Sequence, residues 1–161
     1  MTIPPPAPTA PILRAAQPTD AGRLGAILFQ AQQRARWLPK LYAEVEMIAF
    51  CGVMIDRGWV TVAVQNGVIQ GFVARDGAEI CSLYLAAGAC GQGLGAALMD
   101  AAKDTAPMLW LRVIAANEAA RRFYLRQGFR EAGRSDGSDT AEALPNIRFE
   151  WHDFCQKETA A

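Results

Sequence analysis

Residues 90–102 read CGQGLGAALMDAA, with Gly91, Gly93 and Gly95 crowded ahead of a run of Ala, Leu and Met at helical spacing, just after the strand-like run Ile80 to Leu85. Glycine has no Cβ, so the backbone can take positive φ and approach a ligand closely, while the first amides of the following helix lack intrahelical partners. No carboxylate lies between Ala89 and Met99 to compete with an anion for the positive end of the helix dipole. The junction is therefore a candidate phosphate cradle.

Spacing separates the phosphate-binding loops that use such a turn. A nucleoside-triphosphate loop needs Lys and then Ser or Thr after its last glycine, and Gly88 to Gly93 runs into Leu94 and Gly95 instead. A dinucleotide fingerprint laid on Gly91, Gly93 and Ala96 wants an acidic residue about 20 positions on. Leu111 to Ala116 holds none, which sets a nicotinamide-cofactor domain well behind. A glycine turn that serves only helix packing also fits the loop taken alone.

Outward from the loop, the period of hydrophobicity changes with each segment. Trp59 to Val64, Val68 to Ala74 and Glu79 to Leu85 have strand character. They are separated by Asn66-Gly67 and Asp76-Gly77, whose positive-φ residues suit two-residue hairpins, so an antiparallel meander is expected. The helix from about Gly93 turns Leu94, Ala97, Leu98 and Ala101 to the sheet, and Pro107 introduces a strand over Met108 to Ile114. Asn117 is a good N-cap and Gly128 a good C′ residue for a second helix, followed by strands over Phe129 to Arg134 and Ile147 to Asp153. Upstream, Ile12 to Ala16 reads as a strand and Pro18-Thr19-Asp20 opens a helix with Leu24, Ile27, Leu28 and Ala31 on one face. Trp37-Leu38-Pro39 breaks that pattern, and Tyr42 to Ile55 resumes it through Val45, Ile48, Ala49 and Val53.

The loop Cys90-Gly91-Gln92-Gly93-Leu94-Gly95, continuing into Ala96, resembles the acyl-CoA pyrophosphate loop of the GCN5-related N-acetyltransferase (GNAT) family: Arg or Gln, two variable residues, Gly, one variable, then Gly or Ala. Leu83-Tyr84-Leu85 resembles the end of that family's central strand. Asn117, Ala120, Phe123-Tyr124 and Gly128-Phe129 match its Asn-x-x-Ala-x-x-Phe-Tyr-x-x-x-Gly-Phe segment. Cys90 departs from the pattern, which leaves main-chain amides as the diphosphate ligands, while Arg121 and Arg122 read as solvated surface residues. The resemblance implies an α+β fold of order β-α-α-β-β-β-α-β-α-β-β, its mixed sheet splayed between the fourth and fifth strands to admit the pantetheine arm. It implies acetyl-CoA as co-substrate, bound by the two motifs and the strand end upstream of them, and a primary amine, of a small molecule or a protein, as acceptor.

Direct acetyl transfer makes three demands, and the resemblance assigns a residue to each. Positioning of thioester and amine falls to the loop. Charge growing on the thioester oxygen falls to the backbone amide of Leu85. An alkylammonium of pKa about 10.4 must also shed a proton, at a cost on the order of 4 kcal/mol near neutral pH unless a base assists. Glu79 stands eleven positions before Cys90, the separation at which lysine acetyltransferases of the superfamily carry a glutamate base, although an exposed hairpin glutamate has the same appearance. Glu44, Glu46 and Glu142 border the same expected cleft and could act through water. Tyr124 is the candidate acid for the leaving thiolate, Phe123 its packing neighbour, and Asn117 combines helix capping with contact to the coenzyme arm. Trp37-Leu38-Pro39-Lys40-Leu41 and the run from Asp136 to Trp151 resemble segments that shape the acceptor pocket in small bacterial members. Here Tyr42 replaces a common His and Thr140-Ala141-Glu142 a common Asn-Glu-Glu. Trp37, Tyr42, Trp110 and Trp151 read as core aromatics.

Composition bounds the rest. The chain has 161 residues, 52% of them hydrophobic, and a formal net charge of zero, which suits one globular domain and gives no basic excess for nucleic acid. No apolar run approaches the roughly 20 residues of a membrane span. Cys51, Cys81, Cys90 and Cys155 are scattered without paired spacing and His152 is the single histidine, so neither zinc nor any other metal is expected. With no signal-peptide pattern, a cytoplasmic location with reduced thiols is the expectation. Five of nine prolines fall within residues 1–11, read as a disordered tail ahead of one domain over 12–155 and a flexible end over 156–161. A homodimer is compatible with the sequence, which does not fix the oligomeric state. A catalytically silent acyl-CoA-binding module is the rival reading.

Overall fold

The computed structural model describes residue 3 and residues 10–153, so the expectations for the tail over 1–11 and the end over 156–161 lie almost wholly outside the described residues. Seven strands form one sheet: β1 (Ile12–Ala15), β2 (Val60–Gln65), β3 (Val68–Asp76), β4 (Glu79–Leu85), β5 (Met108–Ile114), β6 (Arg130–Ser135) and β7 (Asn146–His152). Their spatial order is β1-β2-β3-β4-β5-β7-β6. Four helices connect them: α1 (Ala21–Arg34), α2 (Glu44–Asp56), α3 (Leu94–Lys103) and α4 (Glu118–Arg126), with a single 3-10 turn at Pro18–Asp20 before α1. The element order is the one expected.

The meander forms as the turn residues dictate, with one shift. Asn66 (φ 54°) and Gly67 (φ 76°) link Gln65 to Val68 in a two-residue hairpin. In the second hairpin Asp76 pairs with Glu79, so the loop is Gly77-Ala78 and Gly77 (φ 59°) alone takes positive φ. A glycine in the first loop position permits that geometry without help from the aspartate.

The two faces of the sheet are covered by different helices. Gly71 lacks a Cβ where one would lie 3.5 Å from Leu98 of α3, so β3 turns Gly71 to α3 and its neighbour Phe72 to the opposite face. On that side Leu24, Ile27 and Leu28 of α1 are buried, as the helical spacing indicates. α2 departs from expectation. It buries Met47, Cys51, Met54 and Ile55, while Val45 (70% exposed) and Val53 (49%) face outward. Apolar residues surround almost the whole helix, so periodicity could not choose the face; close approach to α1 did. A Cβ at Gly25 would sit 2.7 Å from the Ile48 Cα, so only glycine lets the helices cross there.

One topological fact positions the site. β4 and β5 run parallel, yet their register holds a single pair, Glu79↔Trp110, with the Trp110 N–H donating to the Ala78 carbonyl at 2.9 Å. β5 then pairs with β7 along its whole length, Met108 to Ile114. Beyond that vertex the halves part.

Candidate active site

The opening between β4 and β5 is a cleft of about 340 Å³, within the range of small-molecule sites. Ile80 to Tyr84 form one wall and Leu111 to Ile114 the other. Asn117, Ala120 and Tyr124 of the α4 segment close one side. Gln32 of α1 and Trp37 and Leu38 after it, with Thr140, Glu142 and Leu144 before β7, close the other.

A bulge decides which amides face this cleft. Arg75 pairs with Ile80 and Ala74 with Ser82, leaving Cys81 as an extra residue on β4. Past it the alternation of the strand is inverted: the Ala86 N–H donates to Gln70 O on β3 at 2.8 Å. Successive amides point to opposite edges, so the Leu85 N–H turns to the edge that β5 has left.

The glycine loop lies just beyond β4 and leads into α3. Gly88, Gly91 and Gly93 all take positive φ (82°, 83° and 80°), and a Cβ at any of them would meet nothing within 4 Å. These are open positions, not packed ones. Gly93 caps α3, and the first helical bond is Ala97 N–H to Gly93 O at 3.0 Å, so the amides of Leu94, Gly95 and Ala96 have no intrahelical acceptor. The Gln92 amide donates to Gly88 O at 3.3 Å across the loop, and Cys90 is exposed. Gly95 serves packing instead, since a Cβ there would be 3.2 Å from the Phe123 ring and 3.8 Å from Leu85. The two sequence motifs thus pack directly on each other.

Asn117 caps α4 through its Oδ1, which accepts from the Ala120 N–H at 3.1 Å. Tyr124 is buried, edge-on to Phe123 and Phe129 at 5.2 and 5.6 Å between ring centroids. Burial, then the neighbouring Tyr84, pushes its phenol well above the ordinary tyrosine value, so it stays protonated. Burial likewise raises Tyr84; a hydrogen bond with Gln32 opposes that shift and the Glu142 carboxylate adds to it. Gln32, Tyr84 and Glu142, from α1, β4 and the loop before β7, therefore form one polar group at the cleft. Arg121 donates to Ala115 O at 3.2 Å and Arg122 pairs with Glu118 at 3.9 Å, so both arginines serve α4.

Leu83, Tyr84, Asn117, Ala120 and Tyr124 line the cleft. Glu79 does not: it sits at the closed vertex, opposite Asp76 in the hairpin and Trp110 on β5. Glu142 is the carboxylate brought to the opening. Gln32, Ser82, Arg112 and Asn146 also line it and carry no local sequence signal, being single polar residues in helix or strand. Among the aromatics read as core, Trp37 and Tyr42 are 36% and 45% exposed, and Trp37 lines the cleft. Trp151 packs on the core, and Trp110 lies between two arginines.

A family model described as the Acetyltransferase (GNAT) family matches residues 12–129. A peptidyl-lysine N-acetyltransferase, YjaB of Salmonella typhimurium, is 33% identical over 87 residues, covering 54% of this chain and 59% of that protein. Its Escherichia coli counterpart is 32% identical over 87 residues, 54% of this chain and 58% of that one. The match thus spans well under two thirds of either relative. In three dimensions, apo YjaB from Escherichia coli superposes with a TM-score of 0.75 at 25% identity over 89% of this chain and 98% of that one. yncA of Salmonella typhimurium, solved with its cofactor acetyl-CoA, gives 0.68 at 18% identity over 89% and 94%.

Proposed function

The chain belongs to the GNAT acetyltransferase family, and from that premise we propose that it transfers an acetyl group from acetyl-CoA to a primary amine, the ε-amine of a protein lysine. One observation carries the reading: β4 and β5 part beside a glycine loop whose positive-φ glycines stand open, with no carboxylate within it. That cradle fits a diphosphate. The amides of residues 91–96 would hold it at the positive end of α3, and the side of the cleft formed by Leu83, Asn117 and Ala120 would take the pantetheine arm. The lysine acceptor is supported by the likeness to a peptidyl-lysine enzyme.

Acetyl-CoA supplies the activated acyl group as a thioester when bound. The Leu85 N–H, turned to the open edge by the Cys81 bulge, is placed to donate to the thioester oxygen as charge grows there. Glu142 faces the acceptor side and takes the ammonium proton directly or through water, with Gln32 and Tyr84 as its neighbours. Glu79, at the vertex, lies behind this position. Tyr124, kept protonated by burial, donates to the departing sulfur. No covalent enzyme intermediate is required.

Calorimetry with acetyl-CoA, followed by free-thiol release with a lysine peptide, tests the proposal. Turnover with the peptide upholds it. Coenzyme binding without turnover by any amine would assign the chain instead to a silent acyl-CoA-binding module.

A further inference from the structure

Arg112 and Arg148 are direct register partners on β5 and β7, so two like charges face each other across an antiparallel pair. Such a pair is destabilising unless something neutral or negative lies between or above it. Trp110, one step along the same face, partly answers the need. Arg148 stacks 4.1 Å from its ring centroid and Arg112 lies 5.8 Å away. Contact with the face of a ring engages the π surface of a guanidinium and leaves its N–H donors available.

Nearby carboxylates do not satisfy those donors. Asp139 is 3.8 Å from Arg112 and Glu150 is 3.6 Å from Arg148, and Glu150 is shared with His152 at 3.9 Å. Both contacts exceed hydrogen-bond length, and among the described residues neither guanidinium donates a hydrogen bond. The side chains are 50% and 36% exposed. The next pair on the same face, Ile114↔Asn146, lines the cleft, and so does Arg112 itself. The arginine pair therefore continues the cleft floor, roughly 7 Å along the strands from that pair.

We propose that Arg112 and Arg148, held by Trp110, form a subsite for a carboxylate carried by the acceptor amine. The inference rests on the acetyl-transfer reading and narrows its substrate to amines bearing a nearby carboxylate. Glu142 and Arg112 both line the cleft and Arg148 stands beside Arg112 in register, so opposite charges match an ammonium at one end of the acceptor and a carboxylate at the other. The carboxylate is either the free α-carboxylate of a lysine or the side chain of an acidic residue beside a lysine in a peptide.

Three acceptors test it: Nα-acetyl-lysine, its amide, and a capped peptide with Glu next to Lys. The wild-type protein should turn over one or both carboxylate acceptors at a kcat/KM about tenfold or more above the amide, as expected for one charge-assisted hydrogen bond. The acceptor preferred identifies the source of the carboxylate. Arg148→Gln and Arg112→Gln should each erase most of that ratio, and Arg148→Lys should restore only part of it. Equal kcat/KM for all three acceptors in wild type, or an unchanged ratio in both glutamine variants, overturns the subsite. If no acceptor is turned over, calorimetry of the same ligands with CoA-saturated protein decides. Binding of a carboxylate ligand, but not the amide, lost in Arg148→Gln, keeps the subsite and locates the failure in the transfer reading; no carboxylate-dependent binding ends it.

Discussion

Gly93→Ala and Gly58→Ala form a matched pair of perturbations. Both glycines follow a turn in the left-handed region, at φ 80° and 74°, and a Cβ at either would meet nothing within 4 Å. The backbone cost should therefore be alike, about 1–2 kcal/mol for forcing alanine into that region. For a chain of this size each kcal/mol lowers Tm by about 2–4 °C. Only Gly93 adjoins the proposed diphosphate, where the new methyl would stand in the space proposed for the phosphate. Loss of one amide-to-phosphate hydrogen bond, about 1.5–3 kcal/mol for a charged acceptor, weakens coenzyme A binding about tenfold to a hundredfold. Thermal denaturation without ligand should show similar losses for both variants, and calorimetry with coenzyme A should separate them. If Gly93→Ala binds coenzyme A as tightly as Gly58→Ala does, the loop does not hold the diphosphate.

Other perturbations address single residues. Tyr124→Phe should lower kcat by about tenfold or more, by the same factor from pH 6 to pH 9, because burial holds the phenol protonated throughout; an unaltered rate would remove the acid role. Glu142→Gln should depress kcat by about a hundredfold or more and Glu79→Gln by much less; the reverse order would return the base to the vertex of the sheet. Mass-spectrometric mapping after thiol alkylation at pH 8 should find exposed Cys90 modified ahead of Cys81, whose thiol is raised by burial and then by Glu79. Buried Cys51, pushed up to about 11, should react only on unfolding, and early labelling there would contradict the packing of α2. Arg14 donates to Asp20 at 2.8 Å and holds its carboxyl below the usual range. That stabilisation is fully present above about pH 3.9 and is lost as pH falls through the lower folded value. Asp20→Asn should thus lower Tm at pH 7, and by progressively less as the pH is taken down through the lowered folded value.

Much of this architecture was legible because local chemistry decided it. Asn66-Gly67, the Asn117 cap and the glycines ahead of α3 act within a few residues of themselves, and each appears where its side chain or its missing Cβ demands. α2 was not legible in detail: its apolar residues encircle the helix, and the buried face was set by Gly25 on another helix. The same limit applies to the site. Tyr124 and Asn117 lie in a recognisable segment, whereas Gln32, Arg112 and Glu142 converge only because β4 and β5 separate. Glu79 shows the converse, a favourable sequence interval that the sheet places at its closed vertex.

The single surplus residue at Cys81 makes the site depend on counting rather than on side-chain identity. Replacing Cys81 by serine or alanine keeps the parity of everything downstream. Were Cys81 instead drawn into the ladder opposite Ala74, residues 82–85 would rotate by half a pleat, turning the Leu85 N–H toward β3 and exchanging the faces shown by Tyr84 and Leu83. Register in this strand, more than composition, is the quantity to which the proposed chemistry is most vulnerable.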